Sequence, residues 1–548
     1  MKSRPQRKLS VIGGGIIGLM EVYFEFLESK KINETLRATV YEKNKTISET
    51  TTAHLVPSLT PDEILSVVPR GEDLSKKLKI LFNEPGGIRV DDVPELKNSK
   101  PAIEFIKQVQ EIGSDEKSHN HRTKVLLEMG KAGMELWKYI YDTADSQLQK
   151  IMRESNFNSC HEPNNNKDKL YNGYRIDLIY KVADAKKKAE NMISEYKQLN
   201  YSQCKILSPN EVIDRDPFLS DFCSQNSTHG KNGEIIWKND AIAVWRPGGC
   251  IDTQIFLPKF IAYLKEKLGQ YINESGKVKD CFRIKFERYV SEVTYNDSKK
   301  DKINGLLFFG NSKIKHDKYP YSSSHYVFCP GENVGELNRL GFHEPAYARF
   351  AGASLMLNIP IPLQKLDAFK KLNHYMEVHQ EGVVLAWQAR FKDNKIFIGV
   401  AGTKAFYGDK KPDIQQAFAK NRNLLQLNMI NEVLPECISL ALGKNTKGQS
   451  LTDSDLTCLE QKNIAIRWVG SRAAAYDGFP TVGSLYNKEH TKIKNARTTT
   501  HLSSGGVSFS LISVKSSRKA EENEPDLLST DILKLGRSDR TSTPRSRL

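Results

Sequence analysis

The feature that most constrains this chain is a glycine-rich turn set between a strand and a helix near its start. Lys8-Leu9-Ser10-Val11-Ile12 reads as a short buried strand and runs into Gly13-Gly14-Gly15-Ile16-Ile17-Gly18, a G-x-G-x-x-G turn that opens a helical pattern. A second apolar run, Leu36-Arg37-Ala38-Thr39-Val40-Tyr41, ends in Glu42. Each part has a mechanical reason. Gly13 allows the tight turn, Gly15 lets a diphosphate approach the backbone, and Gly18 lets helix and strand pack closely. The helix start offers N–H groups and a positive dipole end to that diphosphate. Glu42, at the carboxyl end of the second strand, is placed to accept hydrogen bonds from a ribose diol. An acid there favours an unphosphorylated ribose. The register of strand, turn, helix, strand and acid predicts a βαβ unit that binds a dinucleotide.

Within that helix, Glu21, Glu25 and Glu28 recur at helical spacing, which predicts one solvent-facing stripe. Leu19, Met20, Val22, Tyr23, Phe24, Phe26 and Leu27 cover the remainder, as a helix lying on a sheet requires.

The chain has 548 residues, enough for two or more domains with their own cores. Its net charge of +15 would suit nucleic acid, an anionic membrane surface or an acidic substrate, but the lysines are spread along the chain and read as solvated faces. None of the eight cysteines forms C-x-x-C or a zinc-ligand spacing with histidine, so no metal is expected. Scattered thiols fit a reducing compartment. The basic N-terminus passes straight into the first strand without an apolar leader, and no 18-residue apolar run occurs. A cytoplasmic protein is the expectation, with peripheral membrane contact left open.

Along the chain, residues 60–120 read as a polar surface excursion and residues 122–144 as a helix through Val125, Leu126, Met129, Met134, Leu136 and Trp137. Asp184–Lys197 reads as a charged helix. Lys205 to Val212 reads as a strand followed by a capped helix start, and Pro258–Leu268 as an amphipathic helix. Tyr289–Val293 and Leu306–Phe309 alternate as strands, and 311–324 forms a hairpin tip or insertion. His325–Cys329 is a buried strand, short strands dominate 346–402, and 412–435 is helical. Residues from Gly536 carry four arginines among Ser and Thr and read as a disordered tail.

Three further motifs extend the nucleotide reading. Tyr326-Val327-Phe328-Cys329-Pro330-Gly331-Glu332-Asn333-Val334 is a strand that returns its backbone to the nucleotide site. Trp468-Val469-Gly470-Ser471-Arg472-Ala473-Ala474-Ala475-Tyr476-Asp477-Gly478-Phe479-Pro480-Thr481-Val482-Gly483 is the second. Ser503-Ser504-Gly505-Gly506-Val507 opens a C-terminal helix. In this order they resemble the glycine oxidase / D-amino-acid oxidase and dehydrogenase family of FAD flavoproteins, over roughly residues 8–535. Cys250-Ile251-Asp252-Thr253 and Lys395 to Thr403 are weaker echoes. The sequence departs from the family where Ala473 follows Arg472 in place of Pro, at Tyr476, and in the final turn, which lacks the family's His and one Gly. Those departures bear on substrate identity.

The resemblance implies an α/β chain with a Rossmann-like FAD-binding domain of interleaved segments and an antiparallel-sheet substrate domain (α+β). The expected FAD-binding segments are 1–68, 205–345 and 460–520. The substrate domain is expected over 69–204 and 346–459, and the C-terminal helix end and tail over 521–548. FAD would contact Gly13, Gly14, Gly15, Ile16, Ile17, Gly18, Glu42 and Lys43, then Thr51, Thr52 and Ala53, then Val293, Pro330 and Gly331. At its reactive end it would meet Gly505, Gly506 and Val507. The helix start there would place N–H donors where a reduced flavin gathers negative charge. Arg472 is implied as the fork that grips a substrate carboxylate, Arg390 as a second anion ligand, and His54 as a residue beside the reactive edge. No general base is required, since an oriented neutral amine can release hydride.

The implied activity is oxidation of the C–N bond of an amino acid or N-substituted amino acid. Two alternatives remain at this stage. Relatives oxidise a carboxymethylaminomethyl group on transfer-RNA uridine, which the charge would suit, and the altered final turn is compatible with a flavin-bound protein lacking turnover.

Overall fold

The computed structural model describes residues 6–50, 58–61, 105, 108, 116–157, 174–272, 275–296, 299–309, 320–333, 335–345, 347–380, 383–408, 416–476, 478–502, 507 and 510–522. Two large sheets organise them. The first has six strands in the order Phe282–Lys285, Thr35–Tyr41, Gln6–Ile12, His325–Phe328, Lys492–Thr500, Thr481–Tyr486. Its first five strands run parallel and the last is antiparallel. Leu9 and Val11, and Leu36, Ala38 and Val40, alternate along their strands and with Val327 form one buried face. The helix Ile16–Lys31 follows the glycine turn and packs Leu19, Val22, Tyr23 and Phe26 into the same core as Phe256 and Phe260 of the helix Thr253–Leu268. That second helix begins before Pro258, where the sequence suggested it would start, because the Asp252 carboxylate caps it by accepting from the Gln254 and Ile255 amides.

The second sheet has eight strands in the order Ala465–Ala475, Tyr347–Pro360, Lys395–Gly408, Val383–Lys392, Asn373–Gln380, Tyr174–Tyr180, Ala241–Pro247, Lys205–Leu207. All neighbours are antiparallel except Asn373–Gln380 against Tyr174–Tyr180. Helices cover one face, where Leu355, Leu357, Trp387, Ile398 and Val400 meet Leu427, Ile430, Ile438 and Leu459. The α/β class with a Rossmann-like sheet and a largely antiparallel second sheet is as the sequence predicts. The strands over 346–402 are longer than expected, two of them reaching 14 residues.

Two expectations need correction. Strands Lys205–Leu207, Ala241–Pro247 and Ala465–Ala475 fall in segments assigned to the nucleotide-binding domain, yet they pair in the eight-stranded sheet. The sequences of these strands fit either sheet, and only the partner strands decide. The predicted solvent stripe is also wrong for Glu21 and Glu25, whose side chains are 0% exposed. Arg497 Nη2 lies 2.8 Å from Glu21 Oε2 and 2.8 Å from Glu25 Oε1, Arg518 Nη1 is 2.7 Å from Glu25, and Arg7 Nη1 is 3.1 Å from it. The acids therefore face arginines of the last strand and last helix, and only Glu28 keeps to the surface, beside Lys31.

Candidate active site

The glycine turn has the close contacts its mechanics require. Gly13 sits at φ 109°, and a Cβ there would come 2.1 Å from the Cys329 carbonyl oxygen. A Cβ on Gly18 would come 2.0 Å from the Gly13 carbonyl oxygen. Both positions exclude side chains so that the turn, the first helix and the strand His325–Phe328 can meet. Gly15, the N-cap residue, has no side chain with which to cap the first helix, and no acid stands in the first turn. The positive end of that helix suits a ligand's negative charge.

A pocket opens at this point. Gly13, Gly15, Ile16, Ile17, Gly18, Glu42, Lys43, Pro330 and Gly331 line it. Gly14 does not line it: its amide donates to Glu42 Oε2 at 2.7 Å and holds that carboxylate in place. The Asn44 amide donates to Oε1 at 2.9 Å, so Glu42, 4% exposed, is fixed at both oxygens. Lys43 Nζ reaches across to Glu332 Oε1 at 2.9 Å and Asn333 Oδ1 at 2.8 Å, joining the second strand to the turn after Phe328.

Val293 is not part of the wall. It packs in the core beneath its hairpin, while Arg288, Tyr289 and Val290, at the start of the same strand, line the pocket. The irregularity between Val290 and Glu292 buries both valines and hides from simple alternation which one meets the pocket. Glu336 also lines the pocket and accepts from the Tyr289 hydroxyl at 2.6 Å. Burial, reinforced by that acid, pushes the Tyr289 hydroxyl above its usual range.

Arg472 stands half-buried on the edge strand Ala465–Ala475, opposite Phe350. Two ties place this strand against the nucleotide site. The Ser471 hydroxyl donates to Glu332 Oε2 at 3.3 Å, and Ala474 forms a bridge with Leu502, just before the glycine-rich final turn. Arg390 is not at such a position. It is 7% exposed and ion-paired with Asp252, the carboxylate that caps the helix Thr253–Leu268. Sequence places Arg390 beside Trp387 and Gln388 but cannot show that an acid from a distant loop has already claimed it.

His501 is a residue the sequence reading missed. His501, at φ 59°, stands just before the glycine-rich segment 503–506, whose sequence contains no histidine. Its Nδ1 is 2.8 Å from Thr481 Oγ1, its Nε2 is 3.1 Å from Glu344 Oε1, and its ring stacks on Tyr347. Val507 is buried, and its carbonyl accepts from Trp137 Nε1 at 3.0 Å. Thr51, Thr52, Ala53, His54, Gly505 and Gly506 lie outside the described residues.

A second polar group lies within the eight-stranded sheet. Arg175 contacts Asp177 and Glu377, each at 2.9 Å, and Arg246 pairs with the same two acids. Burial raises both carboxyls, but the guanidiniums outweigh it and hold both well below the usual carboxylate range. Asp177, Glu377 and His379 are close enough together to hold a metal ion. Two arginines already neutralise the two carboxylates, so the cluster offers a cation no net negative charge.

No protein-family model and no curated protein sequence matches the chain. Solved structures do. Glycine oxidase from Geobacillus kaustophilus superposes with a TM-score of 0.54 at 12% identity, over 97% of this chain and 98% of that one. Fructosyl peptide oxidase, a thermally stable mutant, gives 0.53 at 13% identity over 97% and 93%. L-α-glycerophosphate oxidase from Mycoplasma pneumoniae, with FAD bound, gives 0.51 at 13% identity over 94% and 95%. The chain shares their fold along its length. Among the described residues no helix is long and apolar enough to cross a membrane.

Proposed function

We propose that this chain is an FAD-dependent oxidoreductase that oxidises the C–N bond of an amino acid or N-substituted amino acid. The observation that carries the reading is the cradle at the first helix. Gly13 and Gly18 exclude side chains, the first turn of the helix carries no acid, and Glu42 is held by two amides at the pocket wall. These residues fit the ADP half of FAD: the helix end takes the diphosphate and Glu42 the ribose diol. When bound, the flavin supplies the acceptor for a hydride at N5.

The chain's own residues then have to bind and orient the donor. Arg472 is assigned to the substrate carboxylate, because a guanidinium grips it at two points and fixes the direction of the adjacent C–N bond. Ser471 and Ala474 tie its strand to the nucleotide pocket and the approach to the final turn, which would hold that grip in register with the cofactor. The product imine would hydrolyse to an oxo acid or aldehyde. The three neighbours are named for oxidation of glycine, a fructosyl peptide and a glycerophosphate. Arg472 and the motif around it favour an amino-acid donor over a phosphate ester. The scattered cysteines of the sequence favour a reducing compartment such as the cytoplasm.

The test is an anaerobic screen of the FAD-loaded protein with D-amino acids, glycine, sarcosine and proline, followed by flavin absorbance. Bleaching by at least one of them is expected. A protein that takes up no FAD, or whose flavin none of these donors reduces, would remove the reading.

A further inference from the structure

Alternate residues of the edge strand Ala465–Ala475 face the same way. Trp468, Gly470 and Arg472 therefore share one face, opposite Ser354, Gly352 and Phe350 of the neighbouring strand. The helix-covered face takes the residues between them, as the Arg467–Glu460 ion pair shows. Gly470 matters because of what fills its missing side chain. A Cβ there would lie 1.8 Å from the Trp468 ring, so the indole lies along the strand over Gly470, on the way to Arg472. Trp468 and Arg472 are both half-buried. Ser354, directly across from Trp468, is 2% exposed, and its hydroxyl has no hydrogen-bond partner among the described residues. A buried hydroxyl without a partner is one that a ligand atom would satisfy.

Building on the amino-acid oxidation proposed above, we propose that Trp468 and Ser354 form the subsite for the substrate's side chain or N-substituent. With its carboxylate on Arg472, an amino acid would lay a flat apolar group, above all an aromatic ring, against the indole. The Ser354 hydroxyl meets a polar atom at the edge of that group. Glycine and sarcosine leave this surface unused, so the chain selects aromatic substrates over them. Burying a ring against an indole favours the larger ligand by on the order of ten- to a hundred-fold.

Two carboxylic acids that cannot donate a hydride from a C–N bond test this without turnover. Calorimetric titration of the FAD-loaded protein with acetate and with phenylacetate is expected to give at least about ten-fold tighter binding of phenylacetate. Trp468→Ala should bring the ratio close to one, Trp468→Phe should keep most of it, and Arg472→Ala should weaken both acids alike. Equal binding of the two acids by the unaltered protein would overturn the subsite. So would a preference that survives Trp468→Ala. If Trp468→Ala fails to fold, Trp468→Leu and Trp468→Phe give the same comparison, with the ratio expected to fall further in the leucine variant. A preserved preference for phenylacetate together with a flavin that no amine reduces would reject the oxidase reading and leave the subsite standing.

Discussion

At the scale of single residues, the roles proposed for Arg472 and Glu42 can be tested separately. Arg472→Ala is expected to leave the flavin spectrum near normal while the half-saturating amino-acid concentration rises steeply. Truncating one partner of a desolvated charge pair costs on the order of 2–5 kcal/mol, or roughly 30- to 4,000-fold. Steady-state kinetics with the best donor measure it, and an unchanged KM would give Arg472 a structural role. Glu42→Arg acts on the other component. It removes the carboxylate held by Gly14 and Asn44 and puts a cation beside Lys43. FAD affinity should fall by at least ten-fold, an effect on the order of 1.4 kcal/mol, as read by titration of the apoprotein. Retained affinity would show that Glu42 serves only the turn. The glycine turn was legible because its close contacts depend on local backbone. Arg390 and Val293 were misread because an acid from the Asp252 loop and an irregular strand pairing settle their positions.

At the scale of elements, the first helix shows how far periodicity reaches. Spacing identified Glu21 and Glu25 as a stripe, but it could not say that the stripe faces Arg497 and Arg518, which arrive at the far end of the chain. Those contacts tie the helix that starts the nucleotide site to the strand and helix that close the fold. Arg497→Met should destabilise the protein by about 3–5 kcal/mol, since it strands buried carboxylates without their main partner. Chemical denaturation measures this, and a loss near zero would mean Arg518 and Arg7 suffice. The same cluster sets an acid limit. Burial works to raise Glu25, but Arg497, Arg518 and Arg7 outweigh it and bring it down to about 2. A folded pKa below the unfolded one gives stability that is complete above about 4.5 and is lost as pH falls toward 2, about 3 kcal/mol for this group. Asp177 and Glu377 shift the same way, whereas burial pushes Glu21 up and opposes them. Stability measured against pH should therefore hold down to about pH 4.5 and decline below it. A profile flat to pH 3 would contradict the pairing.

At the scale of the whole molecule, the chain crosses between its two sheets repeatedly. Strands Lys205–Leu207 and Ala241–Pro247 were assigned to the wrong sheet because partner strands distant in sequence decide the pairing. The general architecture was legible from the ordered motifs at the two ends, and the pairing of Val11 with Val327 realises the return of the chain to the nucleotide site. This interleaving has a mechanical consequence. The pocket is built from the first strand, helix and second strand, from Arg288 to Val290, and from Cys329 to Glu336. A ligand seated there draws together segments that are far apart in sequence. Glu25, in turn, binds Arg518 of the last helix, so the restraint should pass to an element that lines no part of that pocket. Saturating FAD at a hundred times its dissociation constant should stabilise the fold by about 2.7 kcal/mol. Amide exchange should slow across the helix Ser510–Glu522 as well as around Gly13–Gly18. Slowing confined to the glycine turn, with the last helix unchanged, would show that the buried ion pairs do not carry the effect between the two ends of the chain. The decisive comparison is the same measurement in Arg518→Met, where protection at Gly13–Gly18 should persist and protection of the last helix should be lost.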